Sequence, residues 1–252
     1  MEVSSEELLK APDLPMPKYP VKSIHGIEVY SEPDQYQTDL NSSENRKIAL
    51  GVHPKVIQRL TEERLQRLGE LILLPQVIAL GEIGLDRMTP SSSWKRQEET
   101  LVRLLELGLP RKPIIMHIRG TQEDKYSIDV SNCALKLMLH CCAPLQRLHR
   151  HCFTGNRWLI HRWMKAFSNI YFGFTGRVVK FDSEQRRALQ EVPADRLLIE
   201  TDSRYFPLTP EVNVNTPRYI GDVAAAVAEI RGVSTHELLD ITVANTRCLY
   251  QI

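Results

Sequence analysis

Seven apolar, β-rich runs recur along the chain, near residues 22–30, 47–53, 77–83, 113–118, 148–152, 170–174 and 197–201. Helix-period segments separate most of them. A run such as Val77-Ile78-Ala79-Leu80 is apolar at every position, so both faces of the strand must be covered. Strands of that kind belong to a parallel sheet flanked by helices, and repeated strand-then-helix order restricts the chain to an α/β fold with right-handed crossovers. Within 93–108, Leu101, Leu104, Leu105 and Gly108 follow the i, i+3, i+4, i+7 rule, as do Ile220, Val223, Ala224 and Val227 within 216–231. The last helix opens on Ser234-x-x-Glu237, the pattern of a capping box. A length of 252 residues matches one TIM (β/α) barrel. A closed barrel needs eight strands, so seven runs predict one that is incomplete at its N-terminus. Residues 1–20 hold four prolines and no run of the required kind. They read as a short helix at most and an irregular lead-in, with residues 21–252 as a single domain.

Four of the runs lead into metal-ligand types. Val77–Gly81 precedes Glu82, Pro113–Met116 precedes His117, Leu148–Arg150 precedes His151, and Ile199 precedes Glu200-Thr201-Asp202. In a parallel barrel the C-terminal strand ends open onto one face, where active sites lie, so residues far apart in sequence can meet there. Singly, each has an ordinary explanation: a solvated loop carboxylate for Glu82, core histidines for His117 and His151, a helix cap for Asp202. Together they form an N and O donor set that suits a divalent ion. Such an ion lowers the pKa of a bound water from 15.7 to about 7 and polarises a phosphoryl or carbonyl oxygen. Asp202 is then the expected ligand and proton acceptor, and Glu82 suits a bridge between two ions. Arg119 fits either a substrate phosphate or a surface ion pair. His53, before Pro54, is a weaker fifth residue, because proline at a helix start explains the local pattern without chemistry.

Bulk properties exclude several classes. The net charge is +1, so no global basic field advertises a polyanion, and any nucleic-acid contact must be local to the cleft. The five cysteines show no CxxC pair and no disulfide spacing, which suits reduced thiols in the cytoplasm or nucleus. Cys141, Cys142, His149, His151 and Cys152 fit no standard zinc finger. No apolar run approaches the roughly 18 residues of a membrane span. No P-loop, dinucleotide fingerprint or nucleophile elbow is present.

Taken in order, Gly51-Val52-His53-Pro54, Gly81-Glu82-Ile83-Gly84-Leu85-Asp86, His117-Ile118-Arg119, His151-Cys152-Phe153-Thr154-Gly155, Glu200-Thr201-Asp202 and Asn215-Thr216-Pro217 resemble the TatD-like metal-dependent deoxyribonucleases, members of the amidohydrolase-like TIM-barrel superfamily. Asn245 with Leu249-Tyr250 also fits, and the resemblance, closest to the animal branch, runs from about residue 22 to the end. It implies that Glu82, His117, His151 and Asp202 are metal ligands. It also implies hydrolysis of phosphodiester bonds in DNA or another nucleic acid held in the cleft, with magnesium, or with manganese or zinc. Three departures accompany it. The family's first strand ends in His-x-His, and no such motif precedes residue 50; His25 stands alone. Arg204 replaces the usual proline two positions after the aspartate, which loosens the loop or adds a phosphate contact. Lys55 stands where many relatives carry a second histidine. The missing motif and the count of seven agree: the chain is either a piece lacking the first strand or a homologue that has lost it. A barrel without that strand exposes two sheet edges and should be less stable than a closed one. Two other functions remain open, an inactive binding protein and a hydrolase of another ester or amide bond.

Overall fold

The computed structural model describes residues 14–22, 26–36, 46–107, 112–208, 212 and 214–252. His25, Gly108 and the lead-in before residue 14 lie outside the described residues. Residues 14–20 carry no helix or strand, as the prolines require. Among the described residues seven strands follow: β1 (Gly26–Tyr30), β2 (Arg46–Leu50), β3 (Val77–Asp86), β4 (Ile114–Arg119), β5 (Leu148–Arg150), β6 (Ile170–Phe174) and β7 (Leu197–Ile199). They form one sheet in sequence order, every neighbouring pair parallel. The sheet curls into an open barrel with β1 and β7 at its edges. Around it lie α1 (Glu62–Leu71), α2 (Trp94–Glu106), α3 (Ile128–Cys141), α4 (Arg157–Ala166), α5 (Ser183–Glu191), α6 (Ile220–Arg231) and α7 (Thr235–Tyr250).

Strand alternation divides the core in two. Ile48 and Leu50, Ile114 and Met116, and Ile170, Phe172 and Phe174 face the helices, with Leu101, Leu104, Trp163 and Val223 packed on them. Ala49, Ala79, Ile115, Tyr171 and Leu198 face the interior, where Leu249 and Tyr250 from the end of α7 join them. Each fully buried aliphatic or aromatic side chain contributes about 1.5–3 kcal/mol, so both strand faces are pinned and register slippage is disfavoured. Two-residue steps along the inner face then carry Ile115 to His117, His149 to His151, and Leu198 to Glu200, while Asp202 follows beyond the end of β7 in left-handed backbone with a φ of +50°.

Helix ends follow the sequence cues. Asp182 and Gln185 make a reciprocal capping box on α5. On α7 the Ser234 hydroxyl accepts the Glu237 N–H at 3.1 Å. The α2 pattern ends at Glu106. Among the described residues, no helix is long and apolar enough to cross a membrane.

Candidate metal centre

The expectation that Glu82 follows a strand is corrected by β3, which runs on to Asp86 and holds Glu82 in its interior. Strict alternation from Ala79 would turn Glu82 toward the helices. The pairing with β4 instead shifts register between Gly81 and Ile83. That bulge resets the alternation: Ile83 and Leu85 pack in the helix-facing core, while Glu82, Gly84 and Asp86 turn inward. Gly84 has a φ of +149°, and a Cβ there would lie 1.8 Å from the His117 carbonyl oxygen, so only glycine lets β3 and β4 approach this closely.

The four expected donors meet on the inner face. Glu82 Oε1 lies 2.7 Å from His117 Nδ1 and 3.4 Å from His151 Nε2. His151 Nε2 is also 3.6 Å from Asp202 Oδ2. Asp202 is not a helix cap, since residues 203–208 form no helix. Burial opposes the charge on Glu82, but the positive field of His151 and His117 and a hydrogen bond from His117 hold its carboxyl well below the usual range. Burial likewise opposes protonation of His117 and His151. The carboxylates of Glu82 and Asp86 around one ring, and of Glu200, Glu82 and Asp202 around the other, outweigh it and raise both imidazoles. In the metal-free chain these shifts are mutual: the imidazoles and carboxylates hold one another charged, and an ion that binds there must displace the imidazole protons.

Each imidazole also has an outer carboxylate to which the sequence reading assigned no role. His117 Nε2 lies 3.1 Å from Asp86 Oδ2. Asp86 is fully buried, and its other oxygen accepts the Met88 N–H at 2.8 Å. Its backbone is clamped by Gln97 of α2, which accepts the Asp86 N–H at 2.9 Å and donates to its carbonyl at 3.0 Å. Against the cost of burial, the His117 contact, the Met88 N–H and the Lys55 ammonium, 3.5 Å away, hold the Asp86 carboxyl down at about 2. His151 Nδ1 lies 2.5 Å from Glu200 Oε2, and Glu200 Oε1 accepts the Cys152 N–H at 2.6 Å. Carboxylates that grip the far nitrogen of a ligand histidine fix its tautomer and ring orientation. Asp86 and Glu200 stand within the quoted motifs, but only the bulge and the inward step from Leu198 reveal where they point.

His53 caps the short 3-10 helix Pro54–Arg59, its Nδ1 accepting the Lys55 N–H at 3.1 Å. The local explanation therefore holds, yet the same ring lies 4.4 Å from the His117 ring. Burial, and secondarily the charge of His117, lower the His53 pKa to about 4, so it is neutral. His53, Asp86 and His117 also offer donor atoms that all lie within 4.8 Å of one another, a set whose chemistry fits a divalent ion. Arg119 is exposed at the end of β4, two residues beyond His117, and pairs with no carboxylate among the described residues. Arg204 is exposed with a φ of +83°, which proline cannot adopt. The Arg204 N–H donates to the Asn215 carbonyl at 2.8 Å, an antiparallel bridge that ties the two sides of the loop.

The sequence profile described as TatD related DNase matches residues 24–251. The chain belongs to the TatD-related DNase family. It is 33% identical over 162 residues to the human 3′-5′ RNA nuclease TATDN2, covering 63% of this chain and 20% of that protein. To the metal-dependent hydrolase YcfH of Escherichia coli it is 32% identical, over 83% of this chain and 75% of the relative. To the 3′-5′ ssDNA/RNA exonuclease TatD of Enterobacter lignolyticus it is 31% identical, over 80% and 76%. The chain thus spans one fifth of the human relative and about three quarters of the bacterial ones. Among solved structures, the TatD homologue YJJV of Escherichia coli superposes with a TM-score of 0.73 at 24% identity, covering 90% of this chain and 86% of that one. That likeness establishes the fold as a TatD-type barrel.

Proposed function

We propose that this chain is a metal-dependent nuclease that removes nucleotides in the 3′-5′ direction from single-stranded DNA or RNA. The carrying observation is the convergence of Glu82, His117, His151 and Asp202 from four strands, with His151 Nε2 within 3.6 Å of both carboxylates. The names of the human and Enterobacter relatives support the substrate class and polarity. Under this reading Glu82, His117, His151 and Asp202 hold the ion, His117 through Nδ1 and His151 through Nε2. Magnesium is the proposed ion, with manganese or zinc as substitutes. When bound, the ion supplies an activated water and a polarised phosphoryl oxygen. With an ion held there, Asp202 would be placed to act as the proton acceptor. His53, with Nδ1 occupied by the Lys55 N–H, keeps its own proton on Nε2 and donates it in a hydrogen bond to a phosphate oxygen. Arg119 and Arg204 flank the mouth as phosphate contacts, since guanidinium matches phosphate bidentately. Asp86 orients His117; the Lys55 ammonium beside it opposes a second cation there. Residues 21–252 act as one domain, and five free thiols fit a reducing compartment, the cytoplasm or nucleus.

The test is cleavage of end-labelled single-stranded oligonucleotides, DNA and RNA, with magnesium or manganese, by the unmodified chain and by Asp202→Ala. A ladder that shortens from the 3′ end and disappears in the variant supports the reading. No cleavage by the folded, metal-loaded chain overturns it.

A further inference from the structure

The chemistry of the centre does not use two buried polar side chains beneath it. His149 lies on the inner face of β5, two residues before His151, and its Nδ1 is 2.8 Å from the Tyr250 hydroxyl. Tyr250 is the last residue of α7, and its body packs in the inner core with Ile115, Tyr171 and Leu198. On the other side, His149 Nε2 is 3.7 Å from Glu200 Oε2, the same oxygen that lies 2.5 Å from His151 Nδ1. Four polar groups thus form a column: Tyr250, His149, Glu200, His151. We infer that Tyr250 and His149 are positioning residues, a buried brace rising from the barrel floor that holds Glu200, and through it the His151 ring, with Nε2 facing Glu82 and Asp202. The inference rests on the reading of His151 as a ligand.

Hydrogen-bond logic fixes the direction of the column. An ionised carboxylate can only accept, so the His149 ring places its proton on Nε2, toward Glu200, which leaves Nδ1 to accept from the Tyr250 hydroxyl. That N–H points to Glu200. Glu200 then receives the Cys152 N–H on one oxygen and the His151 proton on the other, and that second oxygen is also the anion that His149 Nε2 faces at 3.7 Å, an electrostatic contact longer than a hydrogen bond. His149 Nε2 is buried with no hydrogen-bond partner, so the charge of Glu200 across the 3.7 Å gap is what offsets its burial.

Two further features show that the space is reserved for it. Gly173 of β6 faces the column, and a Cβ there would lie 2.3 Å from both Glu200 Oε1 and His149 Nε2. Any side chain at 173 would drive the two apart. The foot of the column is fixed by α7. Asn245 donates to the carbonyls of Ala194 and Leu197 at 2.7 and 2.8 Å, and Arg147 donates to the Leu249 carbonyl at 2.8 Å. Docking of α7 against the start of β7 therefore sets the height of the Tyr250 hydroxyl. The brace couples the packing of a peripheral helix to the geometry of the metal centre.

Tyr250→Phe removes one oxygen and leaves the apolar packing in place. In the full chain it should weaken Mn²⁺ binding, read by calorimetry, by about 10-fold, the low end of the cost of losing a partner outside the ligand shell. The oligonucleotide KM should stay level while kcat falls. His149→Gln, which retains a donor toward Glu200, should lose less Mn²⁺ affinity than His149→Phe. A second readout needs no metal: the ¹⁵N shifts of the His151 ring in the metal-free chain should move in Tyr250→Phe, in the same direction as in Glu200→Gln. Unchanged Mn²⁺ affinity in Tyr250→Phe, or equal losses in the two His149 variants, overturns the brace. If the unmodified chain binds no Mn²⁺, the reading of the site fails. The ring shifts then decide the brace alone, and an unmoved His151 in Tyr250→Phe overturns it.

Discussion

His117 and His151 hold equivalent places on neighbouring strands, yet the molecule secures them by different means. Both turn one nitrogen to Glu82 and the other to an outer carboxylate. The partner of His117, Asp86, sits four residues beyond Glu82 on the same strand and is tied to the surface by Lys55, whose side chain is 46% exposed. The partner of His151, Glu200, belongs to another strand and is backed by the interior column of His149 and Tyr250. One imidazole is therefore held by a local device that reaches solvent, the other by a non-local device sealed from it. Electrostatic and hydrogen-bond contributions are larger where water is absent, so the sealed side should tolerate less change.

The largest effects should come from the shared centre, which treats both imidazoles alike. Glu82→Gln and Asp202→Ala should each lower metal-dependent cleavage by at least about 100-fold, the scale of losing a positioned proton acceptor or its support. Single-turnover cleavage under saturating manganese checks this. Next come the outer carboxylates, where the comparison itself is at stake. Asp86→Asn and Glu200→Gln should weaken Mn²⁺ binding within the roughly 10–100-fold range of such partners, with Glu200→Gln the more severe. Calorimetric titration of both variants breaks the comparison if the order is reversed.

Smaller effects belong to regions that touch neither imidazole, and they act as controls. Ser234→Ala removes the cap of α7 and should cost about 1 kcal/mol of stability in thermal melts. Mn²⁺ affinity should be unchanged as long as Tyr250 stays docked. Asp182, the N-cap of α5, is a pH control. The Lys125 ammonium, the Gln185 N–H and the Tyr126 hydroxyl outweigh its slight burial and lower its pKa from 3.8 to about 2. A carboxyl depressed in the folded chain stabilises it above its ordinary value and loses that contribution as pH falls toward the folded one. Asp182→Asn should therefore flatten the acid-side loss of stability between about pH 4 and pH 2, by a small amount because the group is largely solvated. Urea melts across that window check it; an unchanged slope would remove Asp182 from the account.

Much of this was legible in the sequence. Strands apolar on both faces announced the parallel sheet and its seven members, and the donors at 82, 117, 151 and 202 were visible as ligand types beside those runs. The end of β3 was not, because a bulge resets alternation by one residue and nothing in Gly81-Glu82-Ile83 states which side it favours until β4 pairs with it. Asp86 and Glu200 were hidden for the same reason: their roles depend on the face they occupy. His53 was read as a weaker fifth candidate because Pro54 explained the local pattern; it does cap the 3-10 helix that follows, but its approach to the His117 ring is a tertiary contact between segments on either side of β3. Tyr250 and His149 are 101 residues apart, joined only by the way α7 closes the barrel floor, which no local pattern encodes.

The central claim is that one divalent ion is held by His117 through Nδ1 and His151 through Nε2, between Glu82 and Asp202. Pulsed electron paramagnetic resonance of Mn²⁺ bound to the ¹⁵N-histidine-labelled chain measures this directly. The account predicts two coordinated imidazole nitrogens, one lost in His117→Gln and the other in His151→Gln, with His53→Gln leaving both. Coupling that disappears in His53→Gln and survives in His151→Gln would contradict it, placing the ion among His53, Asp86 and His117 instead.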